Sequence, residues 1–428
     1  MIPSPSSLRA LVPNKNLGSL PLFDHKGWKR LPFGAFAESI GERAEPKDAQ
    51  EEIYVGLEHL DPQCLHIRRW GKGSDVTGTK LRFRKGEIIF GRRRAYQRKL
   101  AVAEFDGICS AHAMVVRARP DKVLPEFLPF LMMSDRFMNR AVEISVGSLS
   151  PTINWTTLKL EEFDLPPLDQ QRRIAEILWA VDEVIEKYRE LLASSGLYEE
   201  AFVRGRMGQQ AAVIENLSMR REYEGDGWLV ATGQSLLDRG ILEALKDGNH
   251  GEQYPRSSEF SKTGTPYVAA SNVSDDGKID FDGCPKLTDD VKTRLRIPLA
   301  RGGDVLLTHN ATVGRVAIIP DSRTEVVAST TTTYYRPNTA KLSIRYLAAY
   351  LRTHLFQAQL HRVMKQSTRD QVPITAQKKL LFVIPPLAFQ ETFVREVGEV
   401  QQSITSAAHH LAASRQLSQQ LTNAVTNS

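Results

Sequence analysis

Between Lys80 and Lys99 the chain carries nine basic residues (Lys80, Arg82, Arg84, Lys85, Arg92, Arg93, Arg94, Arg98 and Lys99) against one acid, Glu87. The segment Arg92–Lys99 interleaves Tyr96 with arginines. The guanidinium fork suits both phosphate oxygens and guanine edges. A solvated basic loop is the plainer alternative, but charge this concentrated beside a predicted strand end favours a nucleic acid. Three other loops are polar rather than basic. Residues 308–315 include Thr308, His309, Asn310 and Arg315. Residues 247–252 include Asn249 and His250, and residues 365–371 include Gln366, Ser367 and Arg369. Ser148 sits in a further loop, 146–154. Asn, Gln, Ser, Thr and Arg are the side chains that read base edges. Each of these loops taken alone could equally be ordinary surface.

Motifs for catalysis fail on inspection. Gly248-Asn249-His250 hints at a metallophosphoesterase, but Gly251 intervenes and no aspartate-rich motif precedes it. Glu45-Pro46-Lys47 has the Glu-x-Lys of many nucleases, yet no Pro-Asp lies upstream and proline sits badly in such a strand. Gly71-Lys72-Gly73-Ser74 lacks Walker spacing. The proline pairs Pro166-Pro167 and Pro385-Pro386 lack the flanking Asn or Asp and aromatic of adenine methyltransferases. The ten histidines form no metal-ligand pattern. These exclusions leave a chain that does no chemistry itself and binds neither metal nor cofactor.

What must position the loops is an internal duplication. Phe163, Pro166 and Gln171 recur as Phe382, Pro385 and Gln390, all offset by 219 residues. Gly86-Glu87-Ile88-Ile89 meets Gly303-Asp304-Val305-Leu306 at an offset of 217. Offsets shrink toward the front of each half, as loop insertions would produce. After each proline pair comes a helical heptad seam. In the first half it is Ile174, Leu178, Val181, Ile185, Tyr188 and Leu192. In the second it is Phe393, Val397, Val400, Ile404, Ala407 and Leu411, again at 219. Each helix could pack on its own domain. Identical seams in one chain favour the two helices packing on each other, antiparallel, with an approximate two-fold axis. The seam from Ile174 to Leu192 then spans roughly 27 Å, on the order of one turn of B-DNA.

Short β-rich runs open each half: 53–57, 81–83, 87–90 and 113–117, then 266–271, 303–308, 316–319 and 329–335. An apolar helical stretch follows, Glu126–Val142 or Ser343–Met364. The glycine-bearing segment 205–226 reads as a linker. The chain of 428 residues is 41% hydrophobic with a net charge of +6, which permits a polyanionic partner without demanding one. Cys64, Cys109 and Cys284 read as reduced and buried. No apolar run is long enough to span a membrane, and the first 20 residues lack a signal core, so the expected compartment is the cytoplasm.

From about Trp28 onward the sequence resembles the specificity subunit of a type I restriction–modification system. The residues that carry the resemblance are Tyr54-Val55-Gly56-Leu57-Glu58, Phe83-Arg84-Lys85-Gly86-Glu87-Ile88-Ile89, the 94–99 run, and Leu165-Pro166-Pro167-Leu168-Asp169-Gln170-Gln171-Arg172-Arg173-Ile174-Ala175. The second proline segment departs from the first, lacking Arg-Arg-Ile. The resemblance implies an α+β fold with two tandem target recognition domains, each followed by a long helix, the helices packing as an antiparallel coiled coil. The corresponding boundaries are a flexible tail (1–20), a first recognition domain (21–165), a central spacer helix (166–206), a second recognition domain (207–383) and a C-terminal spacer helix (384–428). It further implies double-stranded DNA as ligand, two modification (methyltransferase) subunits as partners, and restriction/translocase subunits in the full assembly. S-adenosylmethionine, ATP and Mg would then belong to those partners. The alternatives are a stand-alone nucleic-acid enzyme and a coiled-coil scaffold.

Overall fold

The computed structural model describes residues 20–215, 222–248, 254–295, 298–365 and 370–425. The chain divides into two compact units, residues 1–192 with 406–428, and residues 193–405. Both divisions fall inside long helices, Leu168–Met207 and Leu387–Ala424.

The first unit holds a four-stranded antiparallel sheet in the order 37–40, 114–118, 88–90, 100–102. The strand Ile88–Phe90 is buried on both faces. Its side chains alternate between two cores, as a two-residue period demands. Ile88 and Phe90 join Phe33, Phe127, Phe137 and Phe163, whereas Ile89 joins Val55, Phe83 and Val115. A five-stranded sheet carries a parallel pair, 53–55 beside 107–109. A two-stranded ribbon pairs 29–32 with 162–165.

The second unit repeats this plan. Its four-stranded sheet runs 242–247, 332–337, 305–308, 316–318. Val305 and Leu307 enter one core and Leu306 another, the same alternation as before. Its five-stranded sheet again has a parallel pair, 265–268 beside 326–328. The fifth strand differs: Arg43–Ala44 joins beside Lys80–Phe83 in the first unit, and Phe260–Ser261 joins beside Lys286–Leu287 in the second. Tyr346 replaces Phe127 at the repeat position, and its buried hydroxyl donates to the Val383 carbonyl at 2.8 Å. A buried phenol needs such a partner.

Each apolar helical stretch is broken into two helices, at Ser134 and at Thr353. The Ser134 hydroxyl accepts from the Phe137 amide, an N-cap that starts the second helix. The linker expected over 205–226 is corrected in its first part. The long helix ends at Met207, Gly208 turns at φ 53°, and a helix over Gln209–Glu215 follows. Ala211 and Ile214 are buried in the second unit's core, so apolar burial overrides the glycine signal.

A glutamine latch is built twice. Gln171 is fully buried. Its Oε1 accepts from the Leu124 amide, and its Nε2 donates to the Lys122 and Pro166 carbonyls. Gln390 makes the same three bonds with Ser343, Lys341 and Pro385. Each latch ties the first turn of a long helix to its domain.

The helices run antiparallel within each unit. In the first, Ile174 and Leu178 share a core with Leu421 and Val425, and Tyr188 stacks on His410 at 5.5 Å. In the second, Val203 and Met207 share a core with Phe393 and Val397, and Gln401 donates to Glu199. Of the expected seam, Ile174, Leu178, Ile185, Phe393, Val397 and Ala407 are buried; Val181, Tyr188, Leu192, Val400, Ile404 and Leu411 are half-buried. The apolar face extends beyond that seam, to Met207 on one helix and Leu421 on the other.

His66 joins the first domain to its long helix, with Nε2 2.6 Å from Asp182 and Nδ1 2.6 Å from Glu104. Asp182 above all, then Glu104, raise the imidazole pKa to about 9 against the effect of burial. The unfolded value is lower, so this contact contributes fully below the ordinary histidine range. It is lost as pH rises through about 9. The expected loss is about 2–3 kcal/mol, read as a fall in melting temperature between about pH 6 and about pH 10 that His66→Gln removes. An equal fall in the variant would reject the assignment. No helix among the described residues is long and apolar enough to cross a membrane.

Candidate nucleic-acid interface

In the first unit the buried strand Ile88–Phe90 runs straight into the arginine loop. The loop is closed by the Gly91 amide donating to the Lys99 carbonyl at 2.9 Å. Arg94 and Arg98 sit in the left-handed region, φ 58° and 52°, and bracket one turn, Ala95–Gln97. Ala95 is buried, which pins the turn and leaves Tyr96 55% exposed at its crest.

The basic run divides by partner. Arg82 pairs with Glu52 and Arg84 with Glu42, while Lys80 donates to the Thr77 and Gly78 carbonyls. Arg98 pairs with Asp135 at 2.6 Å and donates to the Met133 carbonyl. Lys99 donates to the Leu57 carbonyl at 2.6 Å. Arg98 and Lys99, expected as DNA contacts, are therefore internal anchors of the loop. Arg92, Arg93 and Arg94 have no carboxylate partner among the described residues. Arg92 Nη2 donates to the Ala111 carbonyl, Arg93 Nη1 lies 3.2 Å from His112 Nε2, and Arg94 Nη2 lies 3.4 Å from Ser150 Oγ. Burial, then the charges of Arg93 and Arg92, lower the His112 pKa, so the ring stays neutral and can accept.

A second loop docks on the first. The Ile153 amide donates to the Arg92 carbonyl, the Arg94 amide donates to the Pro151 carbonyl, and Arg93 bridges Thr152. Ser148 is exposed on this loop, next to Leu149 at 91% exposure. His112 and Ser150 escaped sequence reasoning, because only the fold brings residues 111–112 and 146–153 to the arginines.

The second unit builds the same frame from other residues. The Thr308 amide donates to the Arg315 carbonyl at 2.9 Å. Thr308 is fully buried and its hydroxyl accepts from the Arg315 amide, so it closes the loop from inside. Arg315 pairs with Asp275 at 2.6 Å and donates to the Val273 carbonyl. These two positions hold the loop rather than face outward. His309 is 5% exposed, with no hydrogen-bond partner on either ring nitrogen among the described residues, and burial lowers its pKa. Asn310 is half-buried and bridges Gln371, and the Val372 amide donates to the His309 carbonyl. Asn249, His250, Gln366, Ser367 and Arg369 lie outside the described residues. Among the described residues no group of three or more His, Cys, Asp or Glu is placed to hold a metal ion.

The chain matches the model of the type I restriction modification DNA specificity domain over residues 69–193 and 242–427, well over half its length. It is 31% identical over 186 residues to the type I restriction enzyme EcoDI specificity subunit of Escherichia coli. That stretch is 41% of this chain and spans 39% of the relative's length. It is 20% identical over 391 residues to the type I restriction enzyme MjaVIII specificity subunit of Methanocaldococcus jannaschii, covering 88% of this chain and 87% of that protein. Among solved structures, the fold resembles a chain of a type I R-M system studied for complex assembly and conformational transition. The TM-score is 0.59 at 22% identity, covering 94% of this chain and 98% of that one. The S subunit of a type I restriction-modification system from M. genitalium matches with a TM-score of 0.51 at 14% identity, over 94% and 96% of the two chains. Two repeats of one fold, each matched by the same model, place the chain: it belongs to the type I restriction modification DNA specificity domain family.

Proposed function

We propose that this chain is the specificity subunit of a type I restriction–modification complex and reads a two-part DNA target without catalysing a reaction. The observation that carries this reading is the loop frame built twice on one backbone plan with unlike side chains, arginine-rich in one unit and neutral in the other. Phosphates are drawn to the positive charge of the arginine loop, and base edges meet side chains of both frames. The chain directs modification subunits, two copies in our reading, to adenines beside the target, together with restriction/translocase subunits, in the cytoplasm. S-adenosylmethionine, ATP and Mg are bound by those partners.

The test is coexpression with a modification subunit and sequencing of methylated sites. The expected result is adenine methylation within a split motif, and neither methylation nor cleavage by the purified chain alone. A contiguous motif, or activity of the isolated chain, rejects the reading. Exchanging residues 92–99 for the loop of a relative is expected to change one half of the motif only. A change in both halves would show that the units do not read separately.

A further inference from the structure

The two loop frames correspond residue by residue. Arg92 and His309 each accept, through their carbonyls, from the amide of the docking loop, Ile153 or Val372. The next residues, Arg93 and Asn310, each form an isolated bridge, to Thr152 or Gln371. The residues after those, Arg94 and Ala311, are both left-handed, at φ 58° and 64°. The offset is 217 on the first loop and 219 on the docking loop, so this is the repeat itself and not a chance likeness.

In extended backbone, neighbouring side chains point opposite ways. The first position points in: His309 is 5% exposed, and Arg92, half-buried overall, has a buried Nε and a guanidinium tethered to the Ala111 carbonyl. The second position is therefore the outward one, and Arg93 and Asn310 are both half-buried there. The Arg93 guanidinium has one side-chain hydrogen-bond partner among the described residues, His112, so most of its donors are open. Asn310 Oδ1 accepts from the Ala311 amide and keeps a lone pair, while its amide nitrogen has no partner among the described residues.

We infer that Arg93 and Asn310 are corresponding base-reading positions, Arg93 contacting a guanine in the first half of a split target and Asn310 an adenine in the second. The inference rests on the functional reading above. An arginine fork matches guanine O6 and N7, and an asparagine amide matches adenine N6 and N7. Arg94 adds a phosphate contact that Ala311 cannot.

The experiment compares R93N, R93K and N310R in the complete complex with the modification subunit, by sequencing methylated sites. R93N is expected to lose the guanine requirement at one position of the first half, weakening the original target roughly ten- to a hundredfold, with the second half unchanged. N310R is expected to exchange adenine for guanine at one position of the second half. R93K keeps the charge but not the fork, so its motif relaxes at the same position. A variant that methylates nothing is assayed by direct binding to targets altered at single base pairs. Lost discrimination at one base pair supports the inference. Uniform weakening on every target, with the salt slope reduced by about one, makes Arg93 a phosphate contact and overturns it. So does an unchanged motif in R93N and N310R. If the wild-type complex yields no split motif, it is the functional reading that fails.

Discussion

Replacing Gln171 with leucine is expected to lower the stability of the first unit by about 2–4 kcal/mol, because three backbone groups, one buried and two half-buried, lose their side-chain partner together. The amide of Leu124 and the carbonyls of Lys122 and Pro166 all end on this one side chain, which is itself fully buried. Leucine matches the volume and offers none of the bonds. Water cannot replace them without opening the first turn of the long helix. In a unit of this size the loss corresponds to a melting temperature lower by roughly 6–15 °C. Gln390→Leu is expected to do the same in the second unit, where the bonds to Ser343, Lys341 and Pro385 are equivalent. Urea unfolding of both variants decides it, and a loss below about 1 kcal/mol in either would show that the latch is incidental. The latch explains why the residue five past the first proline is glutamine in both halves.

Removing the buried acid of each repeat should cost comparably, but unequally between the halves. Glu87 is 4% exposed, accepts from the Arg84 amide at 2.8 Å and pairs with Arg117. Asp304 is 1% exposed, accepts from the Arg301 amide at 2.8 Å and pairs with Arg336 through two nitrogens. In each case a neighbouring glycine, Gly86 or Gly303, takes the positive φ that lets the carboxylate fold back on the turn. The partners differ. Arg117 is 46% exposed, so its charge can return to water, whereas Arg336 is 20% exposed and lies over the Tyr334 ring. Asp304→Ala is therefore expected to destabilise by about 3–5 kcal/mol and Glu87→Ala by about 2–3 kcal/mol, since an orphaned buried charge costs more than one that can rehydrate. Thermal melting of the two variants measures the difference, and the reverse order would sink the argument. Both acids begin the strand that feeds a loop proposed above to read DNA, so on that proposal loss of target discrimination should accompany loss of stability.

Much of the frame was legible from residues alone. The 219-residue offset picked out Phe163, Pro166 and Gln171 with their partners, and these are the residues that hold the core and latch. Heptad spacing marked helical residues that are buried or half-buried. The basic run was a weaker guide. Of its arginines, Arg92, Arg93 and Arg94 have no carboxylate partner among the described residues, and Arg92 is tethered to the Ala111 carbonyl; Arg98 and Lys99 are tied to Asp135 and Leu57. Charge density in a sequence counts cations but not the carboxylates and carbonyls that distant segments bring to them. Gly205 and Gly208 likewise suggested a linker where apolar residues on either side, Met207, Ala211 and Ile214, carry the chain into a core.

Residue types and spacing were enough to show two halves of one kind, where each long helix begins, and which loops differ between them. Those are matters of spacing and residue type, and periodicity states them locally. Which polar side chains of those loops stay without an internal partner could be seen only in the folded chain. A side chain is free when nothing from elsewhere in the fold reaches it, and that depends on contacts between segments dozens of residues apart. Arg93 and Arg98 are five positions apart in one basic loop. One faces a neutral histidine and the other a carboxylate, and nothing in their own neighbourhood of the sequence distinguishes them.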